Sequence, residues 1–266
     1  MVTGIINFKG GVAKTTSTIN LATALQKLKQ KVLVIDTDAQ GNVTNSIGLQ
    51  YEDDEKAITT ASLMQNTKLD PLKAVIKGKY FDFIPNNVFA YSRTNGISDS
   101  QILSKIIERL KPYYHHILID TPPYLGLDTA NAISASDVMM IVTDFSKGSL
   151  TGIKVLMSVL DKWHDKAVAK KFREKAKTVL FTKYQKRTNI SSQVVAIVES
   201  SSNMGLLLDE KIPYSIKVVE DGYSGIPTVI SSPRSVVAIE YMKLAQTWIT
   251  ARDSKILKGS KSVINL

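Results

Sequence analysis

The chain has 266 residues, of which 44 % are apolar and 22 % are charged, and this globular composition excludes wholesale disorder. No apolar run approaches the roughly 20 residues that a membrane-spanning helix needs, and the N-terminus lacks the features of a signal peptide. The absence of cysteine excludes disulfides, thiolate metal sites, iron–sulfur clusters and a thiol nucleophile. We therefore expect a cytoplasmic protein.

The net charge of the chain leaves two interpretations open. Lys and Arg number 34 and Asp and Glu number 24, so the formal charge is +10. Such a charge keeps many proteins soluble. It equally suits a polyanionic partner, whose phosphates attract lysine and arginine and release counterions on contact.

The first 36 residues predict a strand, a loop, a helix and a second strand. Residues 2–7 form a short apolar run that ends at a glycine-rich turn. Residues 14–29 carry apolar positions at helical spacing, and residues 31–35 form a second apolar run. Continuous apolar strands around a crossover helix are typical of a parallel sheet that is covered on both faces.

The same alternation continues along the chain. We expect further strands at residues 81–84, 116–119, 138–142, 178–181 and 206–212, a last strand near 227–230, and helices at 98–110, 151–163, 191–199 and 236–250. Residues 49–78 are polar and weakly periodic, which favours an excursion over the sheet edge. The prediction is one doubly wound α/β domain over residues 1–252, with helices on both faces of a mostly parallel sheet. Residues 253–266 are a Lys/Ser-rich tail that we expect to be frayed.

A glycine-rich loop joins the first strand to the first helix. Its residues are Phe8, Lys9, Gly10, Gly11, Val12, Ala13, Lys14, Thr15 and Thr16. A loop in this position points backbone N–H groups into one concavity, and the helix N-terminus adds its positive dipole end, so the loop suits a phosphate. Lys14 would neutralise phosphate oxygens, and the Thr15 hydroxyl suits Mg²⁺. The usual G-x-x-x-x-G-K-[ST] spacing is not met, because Phe8 and Ala13 occupy both glycine positions.

Five segments, in order, resemble the ParA/MinD family of P-loop ATPases. KGGVAKTT at residues 9–16 is similar to the family's deviant Walker A motif, and DTDAQGN at 36–42 to its D-x-D-x-Q-G-N segment. ILIDTPP at 117–123 resembles the Walker B strand. The T-K-Y and R-T-N steps within 182–189, and Ile212-Pro213, match two later segments. The resemblance runs from residue 4 to about 245 and is greatest to the small Soj-like partitioning ATPases.

The resemblance implies that ATP and Mg²⁺ are the cofactors and that residues 9–16 hold the phosphates. Thr15 would ligate Mg²⁺ directly, while Asp36 and Asp120 would hold its water ligands. Both aspartates end predicted parallel strands, at the rim where such sheets bind ligands, although a strand-terminal aspartate also serves as a cap or turn residue. Asp38 would orient or deprotonate the attacking water. Turnover is expected to be slow, because no second arginine is evident in the motifs.

Lys9 and three later residues are also assigned by the resemblance. In the family, the lysine at the position of Lys9 crosses a two-fold axis to the phosphates of the other subunit, which makes dimerisation depend on ATP; the alternative is a solvated loop charge. Thr182, Pro213 and Ser215 correspond to positions near the adenine, with Ser215 where relatives often have asparagine.

Basic residues are abundant in the second half of the chain. Arg187 and Lys217 match two positions that contact DNA in the Soj-like branch, and Lys217 keeps the charge of the usual arginine without its planar fork. Residues 162–177 carry seven cations against three acids between Asp161 and Lys177. That run is either a solvated helix face or, if Arg187 and Lys217 do not contact DNA, the first alternative for the DNA-binding surface. The three histidines have no metal-ligand spacing.

The sequence thus predicts an ATP-dependent DNA-partitioning switch. Mg-ATP would drive a sandwich homodimer that binds double-stranded DNA on the nucleoid without sequence preference, and hydrolysis, stimulated by a ParB-type partner, would release it. The main alternative is a MinD-like membrane-associated positioning ATPase. That alternative needs a C-terminal amphipathic helix, and residues 253–266 show no continuous apolar stripe, so no membrane partner is expected. A non-catalytic nucleotide-binding regulator also remains open.

Overall fold

The computed structural model describes residues 1–47, 58–87, 98–185, 195–196 and 206–254. Arg187, most of the helix predicted at 191–199 and the tail from residue 255 onward lie outside these ranges.

The described strands form one sheet through the middle of the fold. They are β1 (Val2–Ile6), β2 (Val32–Asp36), β3 (Ile76–Lys77), β4 (Asp82–Ile84), β5 (His116–Asp120), β6 (Val138–Asp144), β7 (Ala176–Tyr184) and β8 (Leu206–Pro213). Their order is β3-β4-β2-β5-β1-β6-β7-β8, and every pair is parallel except β3 with β4. All five residues of β1 are buried between β5 and β6. The glycine-rich loop after β1 therefore starts from the centre of the sheet.

Helices cover both faces, which confirms the predicted doubly wound architecture. They are α1 (Lys14–Lys27), α2 (Asn42–Ser46), α3 (Thr60–Gln65), α4 (Ile102–Leu110), α5 (Leu127–Ala135), α6 (Lys147–Asp161), α7 (Lys166–Glu174), α8 (Ile216–Tyr223), α9 (Thr228–Ser231) and α10 (Val236–Asp253). Alternate strand residues serve opposite faces: Val34 packs with α1 and α10, while its neighbour Leu33 packs with α4. No helix in the described ranges is long and apolar enough to cross a membrane.

The last helix is fastened to the first strand by a buried hydrogen bond. Trp248 of α10 is 1 % exposed, and its indole N–H donates to the Thr3 hydroxyl of β1 at 2.9 Å. Tyr241, two turns earlier on the same face of α10, has its hydroxyl 3.0 Å from the Ser17 hydroxyl of α1. The residues of α10 therefore complete the core around the strand and helix that flank the glycine-rich loop.

One predicted strand, near residues 227–230, is wrong, and the helix and strand within the excursion at 49–78 were not predicted. Residues 227–230 contribute to the short helix α9, not to a strand. Pro227 sets φ to −57° just before the helix, and Val229 is buried with its N–H donating to Asn20 of α1 at 3.1 Å. A short apolar run fits either structure on periodicity alone. The excursion predicted at 49–78 contains α3 and the antiparallel edge strand β3.

Replacing Thr3 with valine keeps the side-chain shape but leaves the buried Trp248 N–H without an acceptor. An unpaired buried donor costs about 1–3 kcal/mol, so the free energy of unfolding measured in urea should fall by about that amount. The matched control is Thr23→Val in α1, where the lost hydroxyl donates to the Ile19 carbonyl at 2.8 Å and leaves no donor unpaired. Equal losses in the two variants would contradict the role given to the Thr3–Trp248 bond.

Candidate nucleotide-binding site

The glycine-rich loop leaves β1 at a residue that is anchored to the neighbouring strand. Asn7 is buried; its side-chain amide donates to the Val142 carbonyl of β6 at 2.7 Å, and its side-chain oxygen accepts from the Lys9 N–H at 2.9 Å. Gly11 and Ala13 both adopt left-handed backbone conformations, with φ of 73° and 67°. Glycine takes this conformation freely, whereas alanine takes it at a cost of about 1–2 kcal/mol.

The space beside the loop is open. A Cβ atom placed on Gly10 or on Gly11 meets no other atom within 4 Å. Glycine at position 11 therefore favours the positive φ angle and is not needed to avoid a clash, and the room beside both glycines is available to a ligand. The concave side of such a loop, where an αL residue alternates with its neighbours, is suited to an anion.

Lys14 provides a buried cation at the start of α1. It is 7 % exposed, and its Nζ lies 3.5 Å from the Lys9 carbonyl oxygen, so the side chain folds back over the loop. Burial lowers the pKa of Lys14, while the neighbouring Asp120 and Asp38 act in the opposite direction. The amine therefore lies between the loop and the carboxylates at the strand ends, where it would neutralise part of the charge of a phosphate bound by the loop.

Two aspartates face each other where β2 and β5 end. Asp36 and Asp120 are register partners, and neither is exposed. Asp120 accepts hydrogen bonds from the hydroxyls of Thr15 and Thr18, each at 2.7 Å. Asp36 accepts from the backbone N–H groups of Asp38 and Val43 at 2.9 and 3.1 Å. Every one of these donors belongs to α1 or to the segment after β2.

Burial raises the pKa of both aspartates, and a neighbouring carboxylate adds to the rise in each case. For Asp36 the largest cause is burial, followed by the Asp120 charge. Burial also raises the pKa of Asp120 to about 6, against the opposing hydrogen bonds from Thr15 and Thr18. Two buried like charges favour a nearby cation, because a cation offsets the repulsion that burial strengthens.

Asp38 is held in place by its own segment. It is 4 % exposed; its two carboxylate oxygens accept from the Gln40 N–H and from the Asn42 side-chain amide, both at 3.0 Å. The charge of Asp38 acts to raise the pKa of Lys14. The predicted catalytic carboxylate therefore lies in the same site as the lysine that is predicted to neutralise the phosphates.

These residues fit a Mg-nucleotide. Within the described ranges, no three His, Cys, Asp or Glu side chains form a ready-made metal cluster. Mg²⁺ would therefore use the Thr15 hydroxyl together with phosphate oxygens and waters, which Asp36 and Asp120 would hold, and this suits an ion that keeps several waters. When bound, Mg²⁺ supplies positive charge against the phosphates.

Lys9 is engaged within its own chain. Its Nζ lies 2.9 and 3.0 Å from the two carboxylate oxygens of Asp144, at the end of β6, and 3.0 Å from the Ser149 hydroxyl. Burial raises the pKa of Asp144, but hydrogen bonds from Ser149, Lys9 and Ser146 outweigh it and hold that pKa at about 2. The interpretation of Lys9 as a solvated loop charge is therefore wrong for the structure described.

The three residues predicted near the adenine lie along β7, β8 and α8. The Thr182 hydroxyl is 2.9 Å from the Val12 carbonyl oxygen and 3.1 Å from that of Thr143, so this residue contacts the glycine-rich loop itself. Pro213 pairs with Tyr184 at the end of β8. Ser215 precedes α8 and makes no side-chain capping bond there. A small pocket between α1 and α8 is lined by Thr16, Asn20, Val218 and Asp221, among others.

The predicted DNA-contacting residues are only partly placed. Arg187 lies outside the described residues. Lys217 is half-exposed in the first turn of α8, where it pairs with Asp221 at 3.1 Å and with Glu220 at 3.5 Å. Its charge is therefore shared with two acids.

The basic run at 162–177 does not form one continuous charged face. Lys175 turns inward and donates to the Ile133 and Ser134 carbonyls at 2.6 and 2.7 Å, at the C-terminal end of α5. The Nζ of Lys177 lies over the Phe172 ring, 4.6 Å from its centroid. Burial is the largest cause that lowers the pKa of each to about 8. Two of the seven cations thus serve the fold.

Sequence reasoning missed Asn7, Thr18 and Asp144. Asp144 ends a strand in the same way as Asp36 and Asp120, so the rule that identified those aspartates would have identified it as well. Asn7 and Thr18 carried no signal of their own, because their roles depend on which strand lies beside them.

Comparisons with known proteins agree with this geometry. A family described as "AAA domain" matches residues 1–175. The chain is 29 % identical to the sporulation initiation inhibitor protein Soj of Bacillus subtilis over 260 residues, which cover 92 % of this chain and 96 % of that protein. It is 27 % identical to the chromosome partitioning protein ParA of Caulobacter vibrioides over 270 residues, with 97 % of each chain covered.

A solved structure shares the fold over its whole length. The septum site-determining protein MinD of Pyrococcus horikoshii, complexed with Mg-ADP, is 26 % identical with a TM-score of 0.74, and 99 % of both chains is covered. Its ligands support ATP and Mg²⁺ as the cofactors of this site. The strand order, the glycine-rich loop with Lys9 and Lys14, and these relatives together show that the chain belongs to the ParA/MinD family of P-loop ATPases.

Proposed function

We propose that this protein is a DNA-partitioning ATPase that Mg-ATP switches into a DNA-binding dimer. The observation that carries the proposal is the meeting of Lys14, Asp38, Asp36 and Asp120 beside an open glycine-rich loop. The similarity of this chain to Soj and ParA over nearly its whole length supports DNA partitioning as the process in which the ATPase acts.

Hydrolysis would depend mainly on positioning and on charge neutralisation, as phosphoryl transfer generally does. Lys14 would neutralise the terminal phosphates, and the backbone N–H groups of the loop would hold them. Asp38, fixed by Gln40 and Asn42, would orient the attacking water. No arginine in the described ranges hydrogen bonds to the loop, which is consistent with slow turnover in the absence of a stimulating partner.

Dimerisation would use Lys9. Two nucleotides that face each other across a two-fold axis bury much negative charge, and one lysine from each subunit would offset it. In the structure described, Lys9 is bound by Asp144, Ser146 and Ser149 of its own chain. The ion pair with Asp144 would therefore have to open before Lys9 reaches a partner's phosphate.

DNA binding would follow from doubling the basic residues in the dimer. Lys217 and Arg187 would contact phosphates and not bases, so binding would be insensitive to sequence. A ParB-type centromere-binding protein would stimulate hydrolysis and release the DNA. The protein would then cycle between the cytoplasm and the nucleoid.

The role of Lys9 can be separated from that of its ion-pair partner. Asp144→Asn removes the carboxylate that holds Lys9, so ATP-dependent dimers should form at protein concentrations about threefold to tenfold lower, as expected for a partly exposed ion pair. Lys9→Ala should bind ATP as a monomer and fail to dimerise. Light scattering with ATP and with ADP measures both effects. Unchanged dimerisation in Lys9→Ala would contradict the proposed contact across the axis.

Lys217→Ala should weaken DNA binding while ATP-dependent dimerisation survives. Two phosphate contacts are lost per dimer, so the salt slope of log K should become shallower by about 2 on any duplex sequence. The matched control is Lys73→Ala, an exposed lysine near β3 at the opposite edge of the sheet. Equal retention of the wild type and both variants on duplex DNA would exclude α8 from the DNA-binding surface. ATP-dependent retention on anionic vesicles, without retention on DNA, would favour the membrane-associated alternative.

A further inference from the structure

Two consecutive residues at the end of β7 contact two consecutive carbonyl groups of the glycine-rich loop. The Thr182 hydroxyl lies 2.9 Å from the Val12 carbonyl oxygen, and the Lys183 Nζ donates to the Gly11 carbonyl oxygen at 2.7 Å. Thr182 is buried, whereas Lys183 is exposed. An exposed lysine seldom gains from ordering its long side chain against a neutral carbonyl, so this contact calls for an explanation.

The backbone of Lys183 departs from that of a strand. Its φ is 55°, and among the non-glycine residues that the structure describes only Ala13 and Lys29 share a positive φ. Side chains of successive strand residues face opposite sides of a sheet. The left-handed turn at Lys183 breaks that alternation, and as a result Thr182 and Lys183 both reach the same loop.

The geometry of the peptide bond links these contacts to ligand binding. The loop contains no cis peptide, so each carbonyl points away from the N–H group of the following residue. A Gly11 carbonyl held by Lys183 directs the Val12 N–H to the opposite side, and a Val12 carbonyl held by Thr182 does the same for the Ala13 N–H. A phosphate bound on that opposite side of the loop would meet both N–H groups, as anions do in backbone concavities of this kind.

We propose that Lys183 is a positioning residue that fixes the Gly11–Val12 peptide so that the Val12 N–H is preset for a nucleotide phosphate. The inference rests on the proposed ATPase function. It assigns to Lys183 a role in nucleotide affinity, exerted through the loop backbone, and no contact with the reacting atoms.

The test measures ADP and ATP affinity by calorimetry in Lys183→Met and Lys183→Arg. Methionine keeps the length of the side chain but removes the donor, so the Kd should rise roughly fivefold to tenfold, the size expected for the net contribution of one solvent-exposed hydrogen bond. The factor should be the same for both nucleotides, because the peptide group does not distinguish them. Arginine should restore affinity to within about twofold. The kcat at saturating ATP should change little in either variant.

A second readout uses the nucleotide-free protein. Amide hydrogen exchange at Val12 and Ala13 should be faster in Lys183→Met than in the wild type, in Lys183→Arg or in the control variant Lys73→Met. If the wild type bound no nucleotide, the ATPase proposal would fail, and exchange at Val12 would still decide the role of Lys183.

Three results would overturn the inference. The first is unchanged affinity and unchanged exchange in Lys183→Met. The second is a loss confined to ATP, which would place Lys183 on the terminal phosphate itself. The third is a lowered thermal midpoint with unaltered affinity, which would leave Lys183 with a purely structural role.

Discussion

The burial of two carboxylates at one point of the sheet is the constraint on which the rest of the site depends. Asp36 and Asp120 face each other at the ends of β2 and β5 without solvent contact, an arrangement that is unfavourable unless it is compensated. Compensation comes from the Thr15 and Thr18 hydroxyls, from the backbone after β2, and from the Lys14 charge. The glycine-rich loop, α1 and the segment after β2 are therefore held around a centre that favours an added cation.

The topology explains why these groups meet. β1 lies between β5 and β6, so the loop that follows β1 starts beside Asp120 on one side and beside Asp144 on the other. Asp120 engages the helix end of the loop through Thr15, and Asp144 engages the opposite end through Lys9. One central strand thus places the same loop between a buried carboxylate pair and a cation that is held within the chain.

Much of this could be predicted from sequence, because it is encoded locally. Apolar runs that end in aspartate predicted the strands and the Asp36–Asp120 pair, and the glycine-rich loop needed only its place between a strand and a helix. What could not be predicted depends on distant neighbours. The partner of Lys9 lies 135 residues away, and the inward turn of Lys175 depends on the end of α5. The strand predicted near 227–230 was wrong because burial between α1 and α10, not periodicity, decides the structure there.

The central claim is that the buried aspartate pair is the place where Mg²⁺ is held beside a nucleotide. It is tested most directly by the Mg²⁺ dependence of ATP binding, measured calorimetrically in the wild type and in Asp120→Asn, with circular dichroism as the check on folding. The account predicts that Mg²⁺ strengthens ATP binding to the wild type at least tenfold and has little effect on the variant. An equal strengthening in both proteins would contradict it.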